Sequence, residues 1–142
     1  MLIKATSFPR EYKAYLLEEK VFLEGEALRA RGFTLAPDGL PSYEKEMFQA
    51  VIVWFTGQLD VKGEKIFEGD ICSVDVQTSF GSAIKDIGIM KWIPRLGSFI
   101  IMIGSKHGNY ECKIDNVEKI GHELTHPDLA EKIINNAKKT NG

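Results

Sequence analysis

Apolar residues along the middle of the chain follow strand-like patterns. Residues 47–56 are apolar at almost every position and rich in β-branched and aromatic side chains, which predicts a strand buried on both faces. Between Ala83 and Ile93, isoleucines recur on one parity, which predicts a second long strand. Further short strands are predicted at 26–35, 71–76, 98–103, 110–114 and 117–120. Turn signals separate these runs, so we predict a mainly β fold (α+β at most), a small, partly open β-barrel of about six strands.

The two ends of the chain have helical patterns. Pro127–Ala137 places Leu129, Ile133 and Ala137 on one stripe, and proline suits the first position of a helix. This predicts a C-terminal helix. Pro9–Glu24 also fits a helical face, although residues 21–23 could instead begin a strand. The predicted organisation is one domain, 1–142, with an N-terminal extension (1–25), a β-rich core (26–126), a helix (127–137) and a polar tail (138–142).

Composition and charge argue against several classes of function. The chain has 142 residues, and its 18 basic and 20 acidic side chains leave a net charge of -2, so it lacks the basic excess of many nucleic-acid binders. Its apolar runs are far shorter than the roughly 20 residues that a membrane-spanning helix needs. The N-terminus lacks the apolar region of a signal peptide. We therefore expect a cytoplasmic protein that does not enter a membrane.

The two cysteines suggest no chemistry of their own. Cys72 and Cys112 belong to no CxxC or CxH spacing, and free cysteine is among the most buried residue types. We expect two buried small side chains and no cofactor.

The segment Trp54–Ile71, WFTGQLDVKGEKIFEGDI, is dense in turn signals. Gly57, Gly63 and Gly69 lie where turns need a positive φ, and Asp70 can accept hydrogen bonds from local backbone amides. Thr56 and Ile71 are strand residues at the two ends of these turns. No G-K-[ST] follows, so the glycines do not form a phosphate cradle. The predicted role of the whole segment is hairpin construction.

This segment resembles the hallmark of the YopX family of phage and prophage proteins, a stretch like "(F/Y)TGLxDKxGxxIYEGDIV". Two weaker similarities are "VEKIGH" followed by "PDL", which includes Gly121 and Pro127, and "LRARGF" at residues 28–33. The resemblance covers about Glu26 to Leu129 and implies a β-rich domain without an established activity. This chain departs from the family pattern at Val61, where lysine or an amide is usual, and at His122 and His126.

The letters His122-Glu123-Leu124-Thr125-His126 match H-E-x-x-H. That zinc-protease motif needs both histidines on one face of a helix, with the glutamate as general base. Here Pro127 follows the second histidine, and proline disfavours helix in the residue before it. We therefore expect a helix that begins at Pro127, a linker before it and no metal site.

Basic residues concentrate in the second half of the chain. Lys91, Arg95, Lys106 and Lys113 are interleaved with Trp92, Phe99 and Tyr110, and small barrels can bind single strands with a basic face and stacking aromatics. Aromatic residues within strands are more often part of a core. Nucleic acid is therefore an alternative partner.

These observations favour a non-enzymatic binding or assembly module of phage or prophage type. The apolar residues at 54–55 and 99–103 exceed what alternating strand faces need, which suggests a protein partner or a homo-oligomer. The alternative is a small barrel that binds single-stranded nucleic acid. A third hypothesis is a metal-dependent hydrolase that uses the HELTH segment. No catalytic residue is predicted.

Overall fold

A computed structural model describes residues 11–38, 40–44, 49–77, 81–93, 98–103 and 114–141. The chain is mostly β, contains a curled half-barrel sheet and ends in a helix, which confirms the predicted fold class. Its elements are β1 (Tyr12–Leu16), β2 (Val21–Leu23), α1 (Glu26–Ala30), β3 (Thr34–Leu35), β4 (Pro41–Ser42), β5 (Ala50–Leu59), β6 (Lys65–Phe67), β7 (Asp70–Gln77), β8 (Ala83–Ile93), β9 (Ser98–Ile103), β10 (Ile114–His122) and α2 (Pro127–Asn141). They fall into two compact units, Phe8–Phe55 and Thr56–Gly142, which share the strand β5.

The N-terminal unit begins with a β-hairpin, so the helix predicted for 9–24 is wrong. All five residues of β1 are buried, although a single helical stripe would bury only some of them. The chain turns at Lys20, which has φ 58°, and β2 then pairs antiparallel with β1. The other edge of β1 pairs with the first half of β5, with Tyr12 opposite Trp54. Pairing with the distant strand β5 makes this segment a strand. The local pattern of residues 9–24 carries no information about that pairing.

The strand predicted for residues 26–35 is mostly wrong as well. Residues 26–30 form the helix α1, and only Thr34 and Leu35 extend as β3, paired with β4. Leu28 of α1 is buried in the core of this unit. That core consists of Tyr12, Ala14, Leu16, Leu28 and Phe33.

The C-terminal unit contains a four-stranded antiparallel sheet in the order β10-β7-β8-β9. β8 and β9 have the predicted bounds, and β10 contains the predicted strand 117–120. The second half of β5 lies beside β6. β5 begins at residue 50, and only Val53 and Thr56 are buried along it, so the prediction of burial on both faces is wrong. Residues 47–48 and most of the predicted strand 110–114 lie outside the described residues.

Helix α2 begins at Pro127, as predicted, and extends to Asn141, so most of the predicted polar tail is helical. Ala130 and Ile133 pack against Ile71 of β7 and Ile89 of β8. The described residues contain six strands of five residues or more and four strands of two or three. No helix in these residues is long and apolar enough to cross a membrane.

Candidate functional site

The first part of the site is Thr56, near the middle of β5. Its side chain is buried, and the hydroxyl donates to the Ile66 carbonyl of β6 at 2.6 Å. The same oxygen accepts the Gln58 amide at 3.2 Å, across Gly57, whose φ is +86°. The threonine therefore joins β5 to β6 next to the positive-φ residue Gly57.

Asp60 organises the turn that follows β5. Its Oδ1 accepts the backbone amides of Lys62 and Glu64, both at 2.9 Å, and Gly63 completes the turn with φ +81°. The Oδ2 atom accepts the Lys119 amide of β10 at 3.1 Å. Burial tends to raise the pKa of this carboxyl, but the amide hydrogen bonds and the Lys119 charge outweigh that effect and hold the pKa below its ordinary value.

Asp70 is the second aspartate of the site and the first residue of β7. It is fully buried, and its Oδ2 accepts the Phe67 amide at 2.7 Å, which holds the turn between β6 and β7. The Lys119 ammonium lies 3.6 Å from the same oxygen and donates to the Lys65 carbonyl at 3.1 Å. Lys119 thus binds Asp60 through its backbone and Asp70 through its side chain.

Gly69 brings the same turn against His122. Its φ is +87°, its amide donates to the Met90 carbonyl at 2.7 Å, and its carbonyl accepts the Glu123 amide at 2.9 Å. A Cβ at this position would lie 2.6 Å from Nε2 of His122. Only glycine therefore satisfies both the backbone conformation and the close approach.

Both ring nitrogens of the buried His122 have a partner. Nδ1 accepts the Leu124 amide at 3.0 Å, and Nε2 lies 2.9 Å from the Glu68 carbonyl. Because a backbone amide only donates, Nδ1 carries no proton, and Nε2–H donates to the carbonyl. The ring is therefore neutral in this arrangement. We define Asp60, Asp70, Lys119 and His122 as the clasp, since they join the turns around β6 to β10.

The HELTH segment crosses three kinds of structure. His122 ends β10, a turn follows, and His126 precedes the helix that begins at Pro127. A Cβ at Gly121 would lie 2.7 Å from Nδ1 of His126, whose ring contacts the Thr125 hydroxyl at 2.9 Å. The two histidines therefore do not share a helical face. Within the described ranges no group of three or more His, Cys, Asp or Glu side chains could hold a metal ion.

Cys72 is a poor nucleophile in this fold. It is fully buried in β7, and burial, together with the nearby Asp70 carboxylate, raises its thiol pKa to about 12. The thiol therefore stays protonated at neutral pH. Cys112 and His107 lie outside the described residues.

The structure describes only Lys91 of the four basic residues proposed for a nucleic-acid face; Arg95, Lys106 and Lys113 lie outside the described residues. The Lys91 ammonium lies 2.5 Å from the Glu123 carboxylate. Trp92 packs edge-on against the buried Phe99, with ring centroids 4.7 Å apart. In the described part of this region, then, charge is paired and the aromatic rings contact each other.

The family model described as YopX protein matches residues 11–131. The chain belongs to the YopX family. The match begins at residue 11, so it includes β1 and β2. No curated protein matches the chain in sequence.

A solved structure resembles this YopX chain over most of its length. The crystal structure of protein EF1440 from Enterococcus faecalis matches it with a TM-score of 0.54 and 20% sequence identity. The match covers 84% of this chain and 96% of that one. At this identity the likeness concerns the fold.

Two parts of the site were missed in the YopX chain's sequence. Asp70 was expected to accept local backbone amides, and it accepts that of Phe67, but Asp60, which is also buried, was not singled out. Lys119 was not singled out either, although it binds both aspartates. No local signal could identify it, because 59 positions separate Lys119 from Asp60.

Proposed function

We propose that this YopX-family protein is a non-enzymatic binding or assembly module of phage or prophage type, which contacts another protein or itself. The observation that carries the proposal is the clasp. Three side chains could in principle act as acids, bases or metal ligands: those of Asp60, Asp70 and His122. In this structure they instead form hydrogen bonds with backbone amides and carbonyls of the hairpins. A group used in this way has little freedom to act as an acid, a base or a metal ligand without loss of the fold.

Exposed apolar side chains support a binding role for the surface of the C-terminal unit. Leu59 and Val61 flank the buried Asp60 and are 57% and 58% exposed. The Val61 amide donates to the Val117 carbonyl at 2.9 Å, so the turn lies along β10, where Ile120 is 45% exposed. Large apolar side chains exposed near one another are typical of protein contact surfaces.

Co-purification tests the proposal. The tagged chain is purified from cells that also express an untagged copy, after nuclease treatment and a high-salt wash. We expect a second protein, either the untagged copy or another chain, in a fixed ratio to the tagged one. A monomeric chain that retains no protein would contradict the proposal.

The same preparation tests the nucleic-acid alternative. Nucleic acid retained without nuclease, and lost steeply as salt is added, would favour that alternative. The matched control is the pair of substitutions Lys106→Ala and Lys113→Ala. Under the proposed function this variant retains the same protein as the wild type.

A further inference from the structure

The ring of His122 links two turns that meet at the end of β10. Its Nε2–H donates to the Glu68 carbonyl in the turn between β6 and β7, and its Nδ1 accepts the Leu124 amide in the turn between β10 and α2. Because a carbonyl only accepts and a backbone amide only donates, this pair of contacts fits one state of the ring, the neutral Nε2–H tautomer. The link between the two turns therefore depends on the protonation of His122.

The turn between β10 and α2 contains one backbone amide whose partner can titrate. The amides of residues 123, 125 and 126 donate to backbone carbonyls at 2.9, 3.1 and 2.8 Å. The amide of Leu124 instead donates to Nδ1 of His122 at 3.0 Å. A carbonyl keeps its acceptor capacity at any pH, but an imidazole nitrogen loses it when it gains a proton. A change of pH can therefore act on this turn at Leu124.

A proton taken from water and added to Nδ1 converts this acceptor into a donor. The new N–H of the ring and the Leu124 N–H would then face each other across 3.0 Å, with no acceptor between them. The bond from Nε2–H to the Glu68 carbonyl survives, so the bond to Leu124 is the one that is lost. Leu124 is only half-buried, so water can replace the lost partner once the turn opens.

The charged groups around His122 include more acids than bases. They come from every element packed against the ring: Glu68 in the turn between β6 and β7, Asp70 of β7, Lys91 of β8, Lys119 of β10 and Glu123 in the turn before α2. The Lys91 ammonium is paired with Glu123, and the Lys119 ammonium lies 3.6 Å from Asp70. Three carboxyl groups against two ammonium groups leave a surplus of negative charge, so an imidazolium does not add to a positive cluster.

We propose that His122 is a proton-operated latch for the turn that joins β10 to α2. The neutral ring holds the turn closed, and the protonated ring releases it at residues 123–126. Helix α2 stays on the sheet, because its buried side chains pack against β7 and β8 through apolar contacts that do not titrate. Histidine ordinarily changes charge between about pH 5 and 8, so the latch opens as the pH falls below neutral. This inference goes beyond the proposed function, and either can fail without the other.

Nitrogen-15 NMR and amide hydrogen exchange on the full chain test the latch. Between about pH 7.5 and 4.5 the His122 ring should change from the neutral Nε2–H tautomer to the imidazolium. Over the same range the protection of the Leu124 amide, relative to its intrinsic exchange rate, should fall about tenfold or more, as expected for one lost hydrogen bond. Amides in the middle of β8 and of α2 should keep their protection.

Two results from this pH series would overturn the proposal. One is a ring that gains its proton while the Leu124 amide stays protected. The other is a ring that stays neutral over this range, or that gains its proton only when the amides of β8 and α2 lose protection as well. Neither result depends on a variant.

Asparagine at position 122 separates the hydrogen bond from the charge. In His122→Asn the side-chain oxygen can accept the Leu124 amide but gains no proton in this pH range, so the fall in Leu124 protection should disappear. The matched control is His126→Asn. His126 is exposed, and its ring contacts the Thr125 hydroxyl instead of a backbone amide, so this variant should keep the fall.

Glu68 is the competing titratable group beside the ring. It is half-buried, and burial raises the pKa of its carboxyl. Glu68→Gln removes this ionisation, and the fall in Leu124 protection should remain. A fall that is lost in Glu68→Gln but kept in His122→Asn would overturn the assignment to His122. If His122→Asn does not fold, the wild-type pH series and Glu68→Gln decide together.

Discussion

At the scale of single residues, Gly69 has the strictest requirement in the YopX motif. Gly69 and Gly63 have similar positive φ values, but only Gly69 faces a neighbour, because a Cβ there would meet His122 and a Cβ at Gly63 would meet nothing within 4 Å. Gly63→Ala should lower the free energy of unfolding by about 1–2 kcal/mol through backbone strain alone. Gly69→Ala should cost about 1–3 kcal/mol more, because the methyl group displaces the ring. Urea unfolding measures both, and equal losses would contradict the close approach.

Asp60 makes the stability of the fold depend on pH. Its folded-state pKa lies below the ordinary value, so the ionised carboxylate stabilises the fold at neutral pH, and this contribution is lost as the pH falls through the folded-state pKa. Asp60→Asn places an amide group among backbone donors and should cost about 1–3 kcal/mol at pH 7. The deficit relative to the wild type should shrink in acid, where the wild-type carboxyl is protonated.

The matched control for this prediction is Asp38→Asn. Asp38 also accepts a backbone amide in a turn, from Leu40 at 3.0 Å, but it is exposed. We expect a change within about 0.5 kcal/mol at either pH. Urea unfolding at pH 7 and at pH 3 gives both comparisons, and a constant deficit for Asp60→Asn would show that ionisation of Asp60 is not involved.

At the scale of elements, local patterns predicted those with strong local signals. β8, β9 and the start of α2 follow from parity, from turn residues and from the preference of proline for a first helical position. β1 was misjudged, because its strand form depends on pairing with β5, some 40 positions away. The glycines of the site were predictable from turn chemistry. Lys119 and His122 were not, because they lie in β10, which meets the turns around β6 only through tertiary structure.

We predict that the buried side chains of α2 stabilise its packing against the sheet. Ile133 is buried against Ile71 and Ile89, so Ile133→Ala should lower the free energy of unfolding by about 2–5 kcal/mol. Glu131 lies on the same helix but is exposed, so Glu131→Ala should change the free energy of unfolding by about 0.5 kcal/mol or less. Chemical unfolding followed by circular dichroism compares the two. Similar small effects would mean that α2 does not depend on this contact.

At the scale of the whole molecule, the question is whether the two compact units unfold together. β5 belongs to both, since its first half pairs with β1 and its second half is joined to β6 by the Thr56 hydroxyl. The strand therefore continues from one unit into the next without a break. We predict a single cooperative transition, as expected for one domain of this length.

The chain has two tryptophans, and one lies in each unit. Trp54 contacts Tyr12 at 5.6 Å between ring centroids, and Trp92 contacts Phe99. In Trp92→Phe the tryptophan fluorescence comes only from the N-terminal unit, and in Trp54→Phe it comes only from the C-terminal unit. Each variant is also followed by circular dichroism, so that a loss of stability caused by the substitution itself is separated from a difference between units. Within each variant the fluorescence and circular dichroism midpoints should coincide in urea. A fluorescence midpoint that departs from the circular dichroism midpoint of the same variant would mean that β5 does not couple the units, and that residues 1–142 contain two folding units.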